Sequence, residues 1–455
     1  MAEEKIDALL ELLKQRKFTQ VYDELKEMRP EDIAPLFEQI DMQDAVKLFR
    51  LLPKSLAADT FVEMDSEHQQ KLIEAFSDTE LKAMLDEMYV DDTVDIIEEM
   101  PANVVRRILR QSDAQTRKNI NEILNYPSDS AGSIMTVEYV DLHRGMTVSK
   151  ALDHIKKTGL DKETVYTCYV IDRDRHLEGI VTVLQMLLAD WNEPVENLMD
   201  TNVISINTLQ DREEAANMLN KYGFMALPVV DNENRLVGIV TFDDAIDVLT
   251  EEATEDIEKM AAIVPSDKPY LKTSVFEIFR KRIPWLLLLM ISATFTGSII
   301  ASFEDRLAVC TALVSFIPML MDTGGNAGGQ TSVTIIRGLA LGEITFPDFF
   351  RVLWRELRVA LLCGVTLAVC NFGKILLVDR MLMHNAGITL LVDLCICLTL
   401  VCAVLLAQVV GCILPMAAKK VGFDPAVMAS PFITTIVDAL TLLVYFGLAQ
   451  WLLHI

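Results

Sequence analysis

The sequence predicts a multidomain protein with a cytosolic all-α superhelical domain, a duplicated α/β module, an acidic connecting helix and a five-helix transmembrane domain. Three observations predict it. Charge is divided along the chain, with 56 Asp and Glu against 32 Lys and Arg before Pro284, but 10 against 9 from there on. A 12-residue unit recurs between Met28 and Ile123. A pattern of helix and β-branched strand then occurs twice between Gly132 and Thr250. The acidic half argues against nucleic acid as a partner, because phosphate neutralisation needs Lys and Arg, and leaves cations as the natural counter-charge.

The repeat reads MRPEDIAPLFEQ from Met28, IDMQDAVKLFRL from Ile40, LPKSLAADTFVE from Leu52, and so on to SDAQTRKNINEI from Ser112. Each unit offers an apolar residue, a Pro or polar cap, and about two turns of helix; Pro in the first turn and Ser or Asp at the cap are good helix starters. Helices this short do not stand alone in water, so neighbours must stack, which predicts a superhelix over residues 1–130. The start, MAEEKIDALLELLKQ, is acidic and amphipathic, without a basic stretch leading into an apolar one. No secretory signal is expected, and the soluble half should remain in the cytosol.

In the duplicated module GSIMTVEYVDL pairs with ENLMDTNVISI, GMTVSKALDHIKKTG with LQDREEAANMLNKYG, and YVIDRDRHLEGIVT with LPVVDNENRLVGIVT. Strands of β-branched residues alternate with helices, and GIVT closes both copies, at 179–182 and 238–241. This looks like a tandem pair of CBS domains, over residues 131–195 and 196–250. After it, DDAIDVLTEEATEDIEK reads as one acidic helix within a connecting segment over 243–282. Asp244, Asp247, Glu251, Glu255 and Glu258 fall on one stripe of it, where like charges repel unless a cation offsets them.

Residues 283–455 carry five apolar segments long enough to span a hydrocarbon core of about 30 Å. They are Ile283–Phe303, Leu307–Ile336, Val359–Gly373 extended to Val378, Met381–Ala418 and Pro425–Ile455. Basic residues cluster before the first (Arg280, Lys281, Arg282), between the second and third (Arg337, Arg351, Arg355, Arg358) and between the fourth and fifth (Lys419, Lys420). The basic residues mark the cytosolic side, so the amino end is cytosolic and the carboxyl end outside. The eight cysteines contain no CxxC pair and so no zinc-ribbon spacing. With no Ser-His-Asp set, phosphate-binding loop or His cluster, the chain does not read as an enzyme.

Two motifs carry chemistry. The run PMLMDTGGNAGGQ, residues 318–330, sets two Gly pairs, the first Gly324-Gly325, in the second span. It is expected to interrupt the helix, so that its carbonyls and Asn326 face a hydrated cation; the alternative is close helix packing by small residues. In the last span, ASPFITTIVDAL places Asp438 far from either end, where an ionisable side chain is costly and functional by default, with Pro431 and Thr434 near the same face. Asp322, flanking the glycine run, and Asp393, read as interfacial, are its rivals. One carboxylate per subunit, supplied twice by a dimer, makes a hard oxygen site with few protein ligands. That suits magnesium, which keeps its waters, better than calcium.

With these motifs and GFDPAVMASP in place, the chain resembles the MgtE family of magnesium channels and transporters over nearly its whole length. The resemblance implies a magnesium-selective importer of a bacterial inner membrane, closed by cytosolic Mg2+, and a homodimer with the ion path on its two-fold axis. Asp438 matches the family's pore carboxylate and Asn326 its pore-lining Asn, with Gly325, Asp322 and Thr434 beside them. The resemblance also implies a cytosolic Mg2+ sensor built from Asp59, Asp91, Asp95, Glu213, Asp244, Asp247, Glu252, Glu255, Asp256 and Asp424. This chain has Gly223 where the family has an acid before the Phe of the second CBS copy. It has Gln185 where nucleotide-binding CBS pairs carry Asp three residues after the GIVT Thr, so the first copy should hold ATP poorly; Asp244 fits that place in the second. Two other readings use the same residues: an exporter of divalent cations, and a nucleotide-sensing CBS pair anchored in the lipid.

Overall fold

The computed structural model describes residues 2–266, 270–382, 388–428 and 430–454. Residues 383–387 of the fourth expected span lie outside them. The chain forms two units, Met1–Leu249 and Thr250–Ile455.

The first unit begins with α1 (Ala2–Lys14), α2 (Phe18–Leu25), α3 (Pro30–Gln39), α4 (Met42–Phe49), α5 (Lys54–Val62), α6 (Ser66–Ala75), α7 (Asp78–Leu85), α8 (Val90–Glu99), α9 (Ala102–Gln111) and α10 (Ala114–Ile123). From α3 onward each helix starts 12 residues after the one before. The starts are chemical. Pro30 occupies the first turn of α3, and Asp41 and Asp65 cap α4 and α6 by accepting from Asp44 N and His68 N. Ser77 and Glu80 form a reciprocal capping box on α7. One position of the repeat supplies the core: Phe37, Phe49, Phe61, Ile73, Leu85 and Ile97 are all buried. Phe49 meets Phe37 and Phe61 edge-on at 6.0 and 6.1 Å, so each short helix is held by its neighbours rather than by its own length.

The duplicated module follows in two like halves. The first has β1 (Asp141–His143), α11 (Val148–Thr158), β2 (Thr167–Ile171), β3 (Leu177–Thr182) and α12 (Val183–Leu188). The second has β4 (Ile206–Asn207), α13 (Arg212–Tyr222), β5 (Ala226–Val230), β6 (Leu236–Thr241) and the start of α14 (Phe242–Met260). Each sheet pairs its first strand parallel and its last antiparallel to the middle one, with an irregularity at the same place, Val170/Ile171 and Val229/Val230. Gly223, at φ +65°, closes α13 in the left-handed conformation that favours glycine, which accounts for the residue there.

The second unit holds most of α14, then α15 (Val275–Ser302), the short α16 (Glu304–Val309), α17 (Ile317–Ala340), α18 (Phe349–Lys374), α19 (Leu390–Val421) and α20 (Ser430–Leu453). Among the described residues, four helical stretches are long and apolar enough to cross a membrane: Val275–Ser302, Phe346–Leu382, Leu390–Val421 and Pro425–Leu453. α17 has the length, at 24 residues, but its glycines and polar residues make it less apolar. Two expectations change here. Arg280–Arg282 lie inside α15, and Arg351, Arg355 and Arg358 inside α18, so these basic residues sit on the helices that carry the spans rather than before or between them. Ile317–Ala340 is one continuous α-helix, so the glycine run does not interrupt it and its carbonyls are tied into helical hydrogen bonds. The glycines are buried contacts instead: a Cβ on Gly328 would lie 2.9 Å from Ile433 Cγ2 and 3.1 Å from Ala407 O. Pro318 stands in the first turn, where a missing N–H costs nothing.

Candidate cation sites

In the first unit, acids from distant parts of the chain meet. Asp91 and Asp92 open α8, Asp243 and Asp244 open α14, and Glu163 precedes β2, its N–H donating to Glu138 O at 2.9 Å. Burial, then the charge of Asp244, pushes the Asp92 carboxyl up to about 7. Burial followed by Asp92, Asp243 and Asp244 takes Glu163 to about 8. Burial raises Asp244 to about 6, against a hydrogen bond from Thr241 Oγ1 at 2.5 Å, with Asp243 and Asp247 adding to the rise. Asp91 is pushed well above the usual range by burial and then by Asp244, and its Oδ1 has no hydrogen-bond partner among the described residues. Asp59 is raised by burial, then Glu31 and Glu87, and Asp247 by burial, then Asp243. Carboxylates whose main neighbours are carboxylates either take protons or share a cation.

Of the sensor positions expected in this unit, Asp59, Asp91, Asp244 and Asp247 carry these raised values, Asp95 is exposed, and Glu213 lies half-buried in the first turn of α13. Asp92, Glu138, Glu163 and Asp243 were missed. No spacing marks Glu138 or Glu163, because the fold alone brings their loops to α8 and α14.

The remaining sensor positions, Glu252, Glu255, Asp256 and Asp424, lie in the second unit. There an internal cation stands among them. Lys259 Nζ donates to Asp424 Oδ2 at 2.6 Å and to Glu255 Oε1 at 2.7 Å. Burial works against that ammonium, but the two carboxylates outweigh it and raise its pKa. Burial, then Asp424, raises Asp256 in spite of Lys259. The i,i+4 spacing of Glu255 and Lys259 was the signal in the sequence for this pair.

Within the apolar helices, close packing gathers the other expected residues. A Cβ on Gly325 would lie 3.0 Å from Thr434 Cγ2 and 3.9 Å from Asp438 Oδ1, so the glycine lets α17 approach α20 beside the carboxylate. Asp322, Asn326 and Gln330 follow at every fourth residue along α17, all exposed in the single chain, and Asp438 is half-buried. Asp322 is near enough for its charge to act on Asp438. No side-chain hydrogen bond or ion pair engages Asp322, Asn326 or Asp438 among the described residues. Thr434 Oγ1 donates to Pro431 O at 2.9 Å. Asp393 is wholly buried, with Cys397 Sγ donating to its Oδ1 at 3.5 Å. Gln185 is spent on a capping box, its Oε1 accepting from Thr182 N at 2.7 Å and from Thr182 Oγ1 at 2.9 Å.

Comparison with known proteins agrees in each region. A family model described as a divalent cation transporter matches residues 317–448, one for the MgtE intracellular N domain matches 28–129, and CBS models match 131–191 and 195–251. The chain is 34% identical to a magnesium transporter MgtE of Thermus thermophilus over 458 residues, covering 100% of both. It is 35% identical to one of Bacillus subtilis, covering 99% of this chain and 97% of that protein. Among solved structures, the cytosolic domain of the Mg2+ channel MgtE in complex with ATP aligns at a TM-score of 0.51 and 32% identity, over 53% of this chain and 99% of that one.

Proposed function

The chain belongs to the MgtE family, and on that premise we propose that it carries Mg2+ across a membrane as a homodimer, inward, and that cytosolic Mg2+ closes it. One observation carries the transport reading: Asp322, Asn326 and Asp438 lie on close-packed helices without side-chain partners among the described residues. Such groups at membrane depth are stable only where water, an ion or a second copy meets them. α15, uncharged from Ile283 to Ser302, has no buried residue in the single chain, which leaves it for lipid or a second copy.

A hydrated ion would be held through its water by Asp438 and Asn326 rather than stripped, which favours magnesium over calcium. A membrane potential negative inside draws it to the cytosol, and the soluble acidic half and basic residues near α15, α18 and the end of α19 fit an inner-membrane orientation with the carboxyl end outside. Closure follows from the acidic cluster. Divalent ions bridging Asp91, Asp244 and their neighbours favour the compact arrangement of the cytosolic part, and differential binding of this kind shifts a population. Purified protein in liposomes should pass Mg2+ when the membrane is polarised, with Ca2+ slower and external nucleotide without effect. Equal Mg2+ entry in protein-free liposomes would sink the reading.

A further inference from the structure

On the first unit, beside the sequence neighbours of Glu138 and Glu163, lies a cavity of about 350 Å3 with more basic than acidic side chains in its lining. The extended segment 137–143 floors it, since Val137, Tyr139, Asp141 and His143 alternate along one face. Lys162, Arg173 and Arg175 complete its rim. Among the described residues none of these three makes an ion pair, in a half of the chain where acids outnumber bases. Asp172, also on the rim, is already occupied: its Oδ1 accepts from Asp174 N at 2.8 Å and His176 N at 2.9 Å, and its Oδ2 lies 2.9 Å from His176 Nδ1. That leaves Asp141 as the rim's one acid without a counter-charge, opposed by three cations and His143.

Arg175 is fixed in place. It holds φ +69°, unusual for a residue with a Cβ, while its carbonyl accepts from Leu236 N at 2.9 Å and its Nη2 donates to Tyr139 Oη at 2.6 Å. It also borders a second cavity of about 250 Å3, where Lys118 of α10 adds a further cation. We propose that this cavity binds a small, multiply charged phosphate, held by Lys162, Arg173 and Arg175. Guanidinium groups match phosphate oxygens in pairs, and a fixed cation loses little freedom on binding. The site is distinct from the one marked by Gln185. β3 runs from the hairpin tip at Asp172–His176 to Thr182, and its six residues separate the two by about 17 Å at ~3.3 Å per residue.

The test is calorimetric titration of inorganic pyrophosphate into the full chain in detergent, with EDTA present to remove metal. Wild type should bind one pyrophosphate per chain. Arg173→Glu, an exposed substitution that leaves the fold intact, should weaken binding at least tenfold, and Arg173→Lys should recover most of it. Gln185→Ala should change nothing. Orthophosphate should bind more weakly than pyrophosphate, as the charge count requires. No binding of pyrophosphate at millimolar concentration, equal binding by Arg173→Glu, or loss of binding in Gln185→Ala would each overturn the assignment.

Discussion

In the first unit Asp91, Asp92, Glu163 and Asp244 are crowded until the main neighbours of each acid are other acids. In the second, Asp322, Asp393 and Asp438 come one to a helix, on α17, α19 and α20. Both arrangements keep carboxylates partly out of water, yet they answer to different variables. A crowded cluster responds to whatever supplies counter-charge, proton or divalent ion, and is suited to sensing. Asp393 is met by Cys397, but Asp322 and Asp438 have no side-chain partner among the described residues and answer to what passes or docks beside them. Lys259 shows a third solution, a built-in cation between Glu255 and Asp424 that needs no ion from solution.

The largest effect expected from breaking this contrast is in the apolar helices. Asp438→Ala should lower Mg2+ flux into liposomes at least tenfold while the protein still assembles, since deleting an unpartnered intramembrane charge relieves a cost. Wild-type flux in a well-folded variant would move the assignment to Asp322. Next comes the crowded cluster. Replacing Asp244 and Asp247 together by Ala should remove most of the protection that millimolar Mg2+ gives the cytosolic half against a protease. Unchanged protection would show that the ions bind elsewhere.

A packing test is smaller. Gly328→Ala should cost about 1–3 kcal/mol, because the new methyl meets Ile433 and the backbone of Ala407, whereas Gly297→Ala, with open space around it, should cost nothing. Thermal unfolding in detergent separates the two, and equal melting points would refute the close-packed reading of the glycine run.

Stability should also follow pH in metal-free buffer. Asp244, Asp92 and Glu163 have folded pKa values of about 6, 7 and 8, all above an ordinary carboxylate. Their contribution is therefore fully present near pH 4 and is lost as pH climbs through 6 to 8. The cytosolic half should melt a few degrees lower at pH 8 than at pH 5.5, and Mg2+ should restore the difference; a flat profile would mean the acids do not crowd in solution. The smallest effect concerns Gln185. Because it is occupied in the α12 cap, Gln185→Ala should shift ATP affinity by less than about twofold, and a large loss by titration would give that residue a ligand after all.

Much of this architecture is legible in the sequence. The 12-residue period set every helix start from α3 to α10, since Pro, Asp and Ser act on the few residues beside them and leave their mark in sequence. The duplicated strand–helix pattern gave two sheets of the same topology for the same reason. The intramembrane acids stood out because any charge does in an apolar run. Tertiary structure decided the rest. Two Gly pairs and a Pro weaken a helix locally, but α17 stays continuous because its glycines pack against Ile433, Val437 and Ala407, and packing outweighs propensity. Asp393 lies near a helix end in sequence, yet neighbouring helices bury it. Glu163 joins Asp91, Asp92 and Asp244 although no period links them: proximity in space, with the burial that sets each carboxyl's charge, belongs to the folded chain and to no stretch of its sequence.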